Sequence, residues 1–225
     1  MTSHYKRSIP RPSPELVRGL RRHGSATVHE AMGRVGAMHH AIKPLAKGMK
    51  MCGPAFTVQC PPGDNLMVLK AVKEARAGDV IVVDFGRIID SGPFGELIAI
   101  ECQVKGLGGF ITTGSVRDSA EIIELGFPVF SSALCIVGTV KESLGSINYP
   151  IVAGQVIVNP GDIILGDDDG VVVIPLDRAE GALKASDVRE AKEAAIKEKL
   201  HAGGSVFDIN GYQKVLDRQG WTEEE

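Results

Sequence analysis

The chain has 225 residues, 44% hydrophobic and 24% charged, which is enough for a substantial buried core and excludes a disordered polymer. A net charge of -3 with no lysine–arginine block excludes the electrostatic footprint of a nucleic-acid binder. No run approaches the roughly 20 apolar residues of a membrane span, so neither nucleic acid nor membrane is an expected partner.

Four scattered cysteines, Cys52, Cys60, Cys102 and Cys135, form no C-x-x-C pair and have no histidine at zinc spacing. They read as free thiols of a reducing compartment. The opening Met-Thr-Ser-His-Tyr-Lys-Arg runs into prolines instead of an apolar leader, so the expected location is the cytoplasm.

Ser13, Pro14 and Glu15 supply an N-cap, a first-turn proline and a first-turn acid, predicting a helix through residues 16–23. Its Arg18, Arg21 and Arg22 interleave with Leu16, Val17 and Leu20 and read as a solvated face. A second helix is predicted after Ser25 or Thr27, stopped by Gly33, so that residues 1–33 form an N-terminal helical cap. Residues 49–59 predict a strand, ended by Pro61, Pro62 and Gly63. Asp64 then caps a helix over residues 65–75 with Leu66, Val68, Leu69, Val72 and Ala75 as its stripe.

A strand over residues 81–83, a helix over 96–104 closed by Gly106, a strand over 110–113 and a short helix over 119–125 ended by Gly126 follow in turn. This alternation predicts βαβ units and a largely parallel sheet. Beyond Val129 the pattern turns to strands, over residues 129–137, 151–158, 162–165 and 171–174. Asp167-Asp168-Asp169-Gly170 between two of them reads as an Asp-Gly hairpin turn in preference to a metal site. His39 and His40 have no clear period around them and carry no assigned role. Residues 176–200 predict a long charged helix able to cover its own domain or dock on a neighbouring subunit. The organisation expected is one α/β domain, with residues 34–175 as core and 176–225 as C-terminal helix and tail.

Dinucleotide, P-loop and nucleophile-elbow motifs are absent from the sequence, which disfavours their chemistries. The informative run is Gly114-Ser115-Val116-Arg117-Asp118, a guanidinium and a carboxylate side by side between a predicted strand and a predicted helix. Strand neighbours point to opposite faces, so the pair serves one site only if the chain has already left the strand at Arg117. The competing reading makes Asp118 and Glu121 a capping box and Arg117 a solvated loop cation. Upstream, Gly95-Glu96-Leu97-Ile98 opens a helix behind Pro93, and free amides there suit a carboxylate. Arginine and amides together could hold a small α-keto acid and leave its keto oxygen for a metal.

Gly63-Asp64-Asn65, Gly78-Asp79-Val80 with Val82-Val83-Asp84, Gly95-Glu96-Leu97 and the Gly114 run, in that order within residues 25–175, resemble the RraA-like family. The resemblance is strongest to its 4-hydroxy-4-methyl-2-oxoglutarate and 4-carboxy-4-hydroxy-2-oxoadipate aldolases. It implies a layered α/β/β/α sandwich of swivelling-domain type, assembled as a homotrimer or homohexamer. It implies a divalent-metal aldolase acting on a small oxo acid, with oxaloacetate decarboxylation as a side activity. Asp118 then binds Mg²⁺ or Mn²⁺, Arg117 contacts the pyruvyl part, and the amides of Gly95, Glu96, Leu97 and Ile98 hold the substrate. Glu96 stands where the family pattern has an aspartate. Glu193, with Glu190 and Glu198 close by, is the best match to an acid given by a neighbouring subunit. The family's regulators of an RNA-degradation enzyme lack the acid after the arginine, so Asp118 separates the two branches.

Overall fold

The computed structural model describes residues 4–86 and 88–224. Helix α1 (Pro14–Arg21) starts as predicted, with the Ser13 hydroxyl accepting from the Leu16 amide, and α2 (Ser25–Ala31) follows it. Then come β1 (Lys43–Pro44), β2 (Met51–Gln59), α3 (Leu66–Glu74), β3 (Val80–Asp84), α4 (Glu96–Val104), β4 (Gly109–Thr112), β5 (Ser115–Val116) and α5 (Ser119–Leu125). The second half holds β6 (Val129–Ser131), β7 (Ala133–Leu134), β8 (Ser146–Ile147), β9 (Ile151–Ala153), β10 (Val156–Val158), β11 (Ile163–Asp167) and β12 (Gly170–Ile174). A 3₁₀ turn (Leu176–Arg178) leads into α6 (Ala179–His201), followed by α7 (Val206–Ile209) and α8 (Gln213–Gln219).

The main sheet runs β1-β6-β4-β3-β2-β11-β12, with β8 also on β2. Its parallel part, β2, β3, β4 and β6, is the βαβ series that the sequence predicts. β2 joins the two halves of the sheet: its first residues pair antiparallel with β11, Gly53 opposite Ile164, and its last pair parallel with β3, Ala55 opposite Val80. At the far edges Lys43 Nζ donates to the Asp169 carbonyl and the Gly48 amide to Asp168, so the sheet is nearly closed.

The two-residue side-chain period then sets the layers. Val80, Val82, Ile111, Phe130, Ile164, Val171 and Val173 face inward on one core. Their neighbours Ile81, Val83 and Phe110 face α3, α4 and α5, meeting Val68, Ala99 and Ile122. On the other side Ile163, Leu165, Val172 and Ile174 meet Leu20, Val28 and Ala182 of α1, α2 and α6. The result is helix, sheet, sheet, helix. Each of these fully buried aliphatic side chains contributes about 1.5–3 kcal/mol. Among the described residues no helix is long and apolar enough to cross a membrane.

Three expectations are corrected. The apolar run at 129–137 is not one strand: β6 joins the main sheet, the Ser132 amide donates to the Gly114 carbonyl, and β7 pairs with β5 in a separate ribbon. Residues 151–158 form a hairpin, β9 with β10, around Gly154 and Gln155 at φ +57° and +70°. Continuous apolar content does not show where a strand changes partner, and Gly-Gln is a weak turn signal. The long predicted helix begins one turn late, and α7 and α8 follow it.

The acid run at 167–170 is the β11–β12 hairpin turn, Asp167 opposite Gly170. Asp167 also holds α2 in place, accepting from both the amide and the hydroxyl of Ser25. Cys52, Cys60 and Cys102 are buried free thiols whose pKa desolvation pushes up to about 12, which makes them inert at neutral pH.

The N-terminal segment is strapped to the body where no periodicity announces it. The Lys6 amide donates to the Ile147 carbonyl, and Arg11 forks onto the buried Asp79 at 2.5 and 3.1 Å. Arg11→Ala leaves Asp79 with the Arg76 amide as its remaining donor among the described residues. A stability loss of about 3 kcal/mol is expected, measured by urea unfolding with an unchanged far-UV spectrum.

Candidate functional site

The chain leaves β5 at Val116, so Arg117 and Asp118 lie beyond the strand and escape its alternation. Asp118 takes the left-handed conformation, φ 55° and ψ 41°, which aspartate tolerates better than most residues. This turns its carboxylate back toward its neighbour, with Oδ2 3.5 Å from Arg117 Nε. The Arg117 amide donates to the Phe94 carbonyl, fastening the turn to the segment that opens α4.

Asp118 stands at the cap position of α5 but makes no side-chain cap there. Its Oδ2 instead accepts from the Glu96 amide, 3.1 Å away, at the start of α4. The capping box with Glu121 is therefore not formed, because the left-handed backbone directs the carboxylate away from its own helix. The Leu97 and Ile98 amides have no partner among the described residues. They form an anion-seeking end beside the Arg117 guanidinium.

Gly95 is needed here for closeness and not for backbone freedom: a Cβ on it would strike the Asp118 carboxylate and approach Arg117 Cγ at 3.1 Å. These groups border a cleft of about 320 Å³ lined on this side by Gly95, Leu97, Ile98, Arg117 and Asp118. The cleft is also lined by Asn65, which the sequence marks only within the Gly63-Asp64-Asn65 run, and by Thr139 and Lys141, which the sequence does not single out. The Asn65 Nδ2 donates to the Pro93 carbonyl, while its buried Oδ1 has no partner among the described residues.

Asp64 sets the spacing of this part of the cleft. Its buried carboxylate accepts from Leu66 at the start of α3 and from the Glu142 and Ser143 amides, at 2.7–2.8 Å. Burial pushes its pKa up, but the three amides outweigh burial and hold it below the ordinary carboxylate value. The sequence-level cap is thus also a clamp on the loop that carries Thr139 and Lys141. The only advance signal was the Gly63-Asp64-Asn65 run; the loop itself has no period.

Glu96 contributes its amide to Asp118, and its carboxylate stands half-buried at the same helix start. Glu193 is not brought to the cleft within one chain: it pairs with Arg189 at 2.9 Å on α6. A larger cavity of about 460 Å³ lies at the carboxyl ends of β3 and β4, beside His39, Asp84 and Thr113. Its acid is already held by the Gly86 amide, the Thr113 hydroxyl and the Gln59 side chain, so it offers little to a ligand.

Among the described residues no three His, Cys, Asp or Glu side chains converge as a ligand cage. A cation in the cleft would have the Asp118 carboxylate, whose Oδ1 has no partner among the described residues, with other oxygens from water or ligand. That donor set fits Mg²⁺, which keeps several waters and takes one or two carboxylates.

A nearly closed mixed sheet between two helical layers, with its cleft where a left-handed Arg-Asp turn meets a helix start, defines a protein of the RraA fold. Streptomyces coelicolor RraAS2, described as an unusual member of the RNase ES inhibitor RraA protein family, matches with TM-score 0.73 and 28% identity, over 84% of this chain and 99% of that one. The chain belongs to the RraA-like family, described as Aldolase/RraA, which it matches over residues 25–173. A Halalkalibacterium halodurans protein provisionally named 4-hydroxy-4-methyl-2-oxoglutarate aldolase is 37% identical over 78% of this chain and 85% of its own. A Thermus thermophilus protein named 4-hydroxy-4-methyl-2-oxoglutarate aldolase is 32% identical over 50% of this chain and 68% of its own.

The Asp64 clamp has a pH signature. Asp64→Asn is expected to lower stability by about 2 kcal/mol at neutral pH. Because the folded pKa is depressed, the wild-type advantage is complete above about 4 and shrinks as pH falls through the lower folded value. Urea unfolding of both proteins between pH 7 and 3 measures it; a difference that stays constant across that range contradicts the clamp.

Proposed function

We propose that this protein is a divalent-metal aldolase that cleaves a 4-hydroxy-2-oxo diacid or triacid to pyruvate and a second oxo acid. The observation carrying this reading is Asp118: the acid directly after the arginine is turned out of its own helix and into the cleft. The names of the relatives from H. halodurans and T. thermophilus support it.

In this reading the substrate carboxylate is held by the Leu97 and Ile98 amides and the Arg117 guanidinium, at a helix end whose dipole favours anions. Mg²⁺ or Mn²⁺ held by Asp118 would act as the Lewis acid for the 2-oxo group. As the bond between C3 and C4 breaks, negative charge gathers on the oxo oxygen of the departing pyruvate unit. Arg117 supplies a fixed positive charge beside it, oriented by its neighbour Asp118 and by the hydrogen bond its own amide donates to the Phe94 carbonyl. Among the described residues the cleft walls carry no histidine, so solvent carries the proton released from the C4 hydroxyl. The same charge stabilisation would support decarboxylation of oxaloacetate.

The chain would work as a homotrimer or homohexamer, with Glu193 entering the cleft of a neighbouring copy. The exposed outer half of α6 and the exposed Leu97, Val104 and Ile136 leave surface for such contacts. A second reading, a non-catalytic regulator of an RNA-degradation enzyme, draws support from the likeness to RraAS2. The acid at Asp118 favours the enzyme.

Pyruvate release from 4-hydroxy-4-methyl-2-oxoglutarate, coupled to lactate dehydrogenase, is the test. Wild type should turn over with Mg²⁺ and stop with EDTA, Asp118→Ala should be inactive, and Arg117→Ala should lose about 10²–10³-fold in kcat. Activity that survives both EDTA and Asp118→Ala sinks the mechanism.

A further inference from the structure

We propose that His23 is a proton-operated latch between α1 and α6: with both ring nitrogens protonated it holds the outer half of α6 against the body, and on losing a proton it releases that half. The buried residues of α6 are Ala179, Ala182 and Ser186, all near its start. Beyond Ser186 none of its residues is buried, so apolar packing does not fix the direction in which the rest of the helix leaves the body. That task falls to polar contacts, and the buried partner among them is His23.

His23 lies just past the end of α1 and is 2% exposed. Its Nδ1 stands 2.8 Å from Glu190 Oε1 and its Nε2 3.2 Å from Asp187 Oδ1, two acids one turn apart on α6. Neither nitrogen has a hydrogen-bond partner elsewhere among the described residues. A carboxylate only accepts, and a neutral imidazole has one N–H and one lone pair. A neutral ring would therefore set its lone pair against one of the two acids in a place closed to water. Only the doubly protonated ring offers a donor to each.

The other charged groups around the ring are engaged elsewhere. On α1, Arg22 reaches Asp187 at 3.6 Å from an exposed position. Just before β2, Lys50 Nζ donates to the His23 carbonyl and not to its ring. Asp167, on β11, accepts from the Ser25 amide and hydroxyl. On α2 Glu30 pairs with Arg34, and on α6 Arg189 pairs with Glu193 and reaches Glu30 at 3.7 Å. Asp187 and Glu190 are thus left with His23 as their shared buried partner. Because the charged ring forms the latch, its hold is complete at low pH and is lost as pH rises through the range in which histidines titrate. The latch does not depend on the aldolase reading; in that reading it would set the line on which α6 carries Glu193, one turn past Glu190.

Two measurements on the intact protein between about pH 5 and 8 test it. NMR of protein labelled with ¹⁵N-histidine reads the His23 ring, which should carry both protons at the acid end and lose one as pH rises. Hydrogen exchange followed by mass spectrometry, corrected for its intrinsic pH dependence, reads the α6 amides beyond Ser186. Their protection should fall about tenfold in wild type across the same range, in step with the ring. His23→Gln, and separately Asp187→Asn combined with Glu190→Gln, should show low protection with no such step. The paired acid variant changes only exposed positions, so it decides the matter if His23→Gln does not fold. A neutral ring at the acid end, the same step in the paired acid variant, or unchanged protection in wild type overturns the latch.

Discussion

The hydrogen bond from the Glu96 amide to the Asp118 carboxylate couples the starts of two helices that follow different strands. One left-handed residue makes it. A right-handed or extended Asp118 would leave the carboxylate over α5, Arg117 would point elsewhere, and the α4 amides would open onto solvent alone. Gly95 is the complementary requirement, since any side chain there would occupy the space of that carboxylate. The neighbouring packing supports the same contact: Phe94, stacked on Phe110 at 3.8 Å, gives its carbonyl to the Arg117 amide. Strand β4, helix start and Arg-Asp turn are therefore tied to one another by direct contacts.

The second wall of the cleft uses the same physics in a drier setting. Asp64 is buried, so the cost of desolvating a charge is met by three backbone amides drawn from two segments far apart in sequence. A carboxylate used this way specifies a distance between α3 and the loop at 138–143 with little freedom. The cleft is thus bounded by two acid-to-amide junctions, one exposed at Asp118 and one buried at Asp64. Only the exposed one keeps an oxygen available for chemistry.

Family membership, fold and site stand at different levels of argument. The match over residues 25–173 and the likeness to RraAS2 establish the family and its sandwich. Members of that fold include proteins described as RNase inhibitors as well as proteins named as aldolases. Fold therefore does not choose between them, and the choice rests on side chains placed in the cleft.

The layered fold was largely legible in the sequence, because the short apolar runs of β3, β4, β11 and β12 and the helix starts at Ser13, Gly95 and Ser119 are local properties. Arg117, Asp118 and the amides from Gly95 were also visible as a candidate group, from their order at a strand-to-helix junction. What local pattern could not decide was the direction of a single carboxylate: Asp118 reads equally as a cap for its own helix until the left-handed turn is seen. Nor could it find Lys141, whose loop has no period and owes its place to a buried acid 77 residues earlier in the chain. Sequence determines the alternation and caps that act over a few residues; contacts between segments distant in the chain, made only when both helix layers close on the sheet, determine the site.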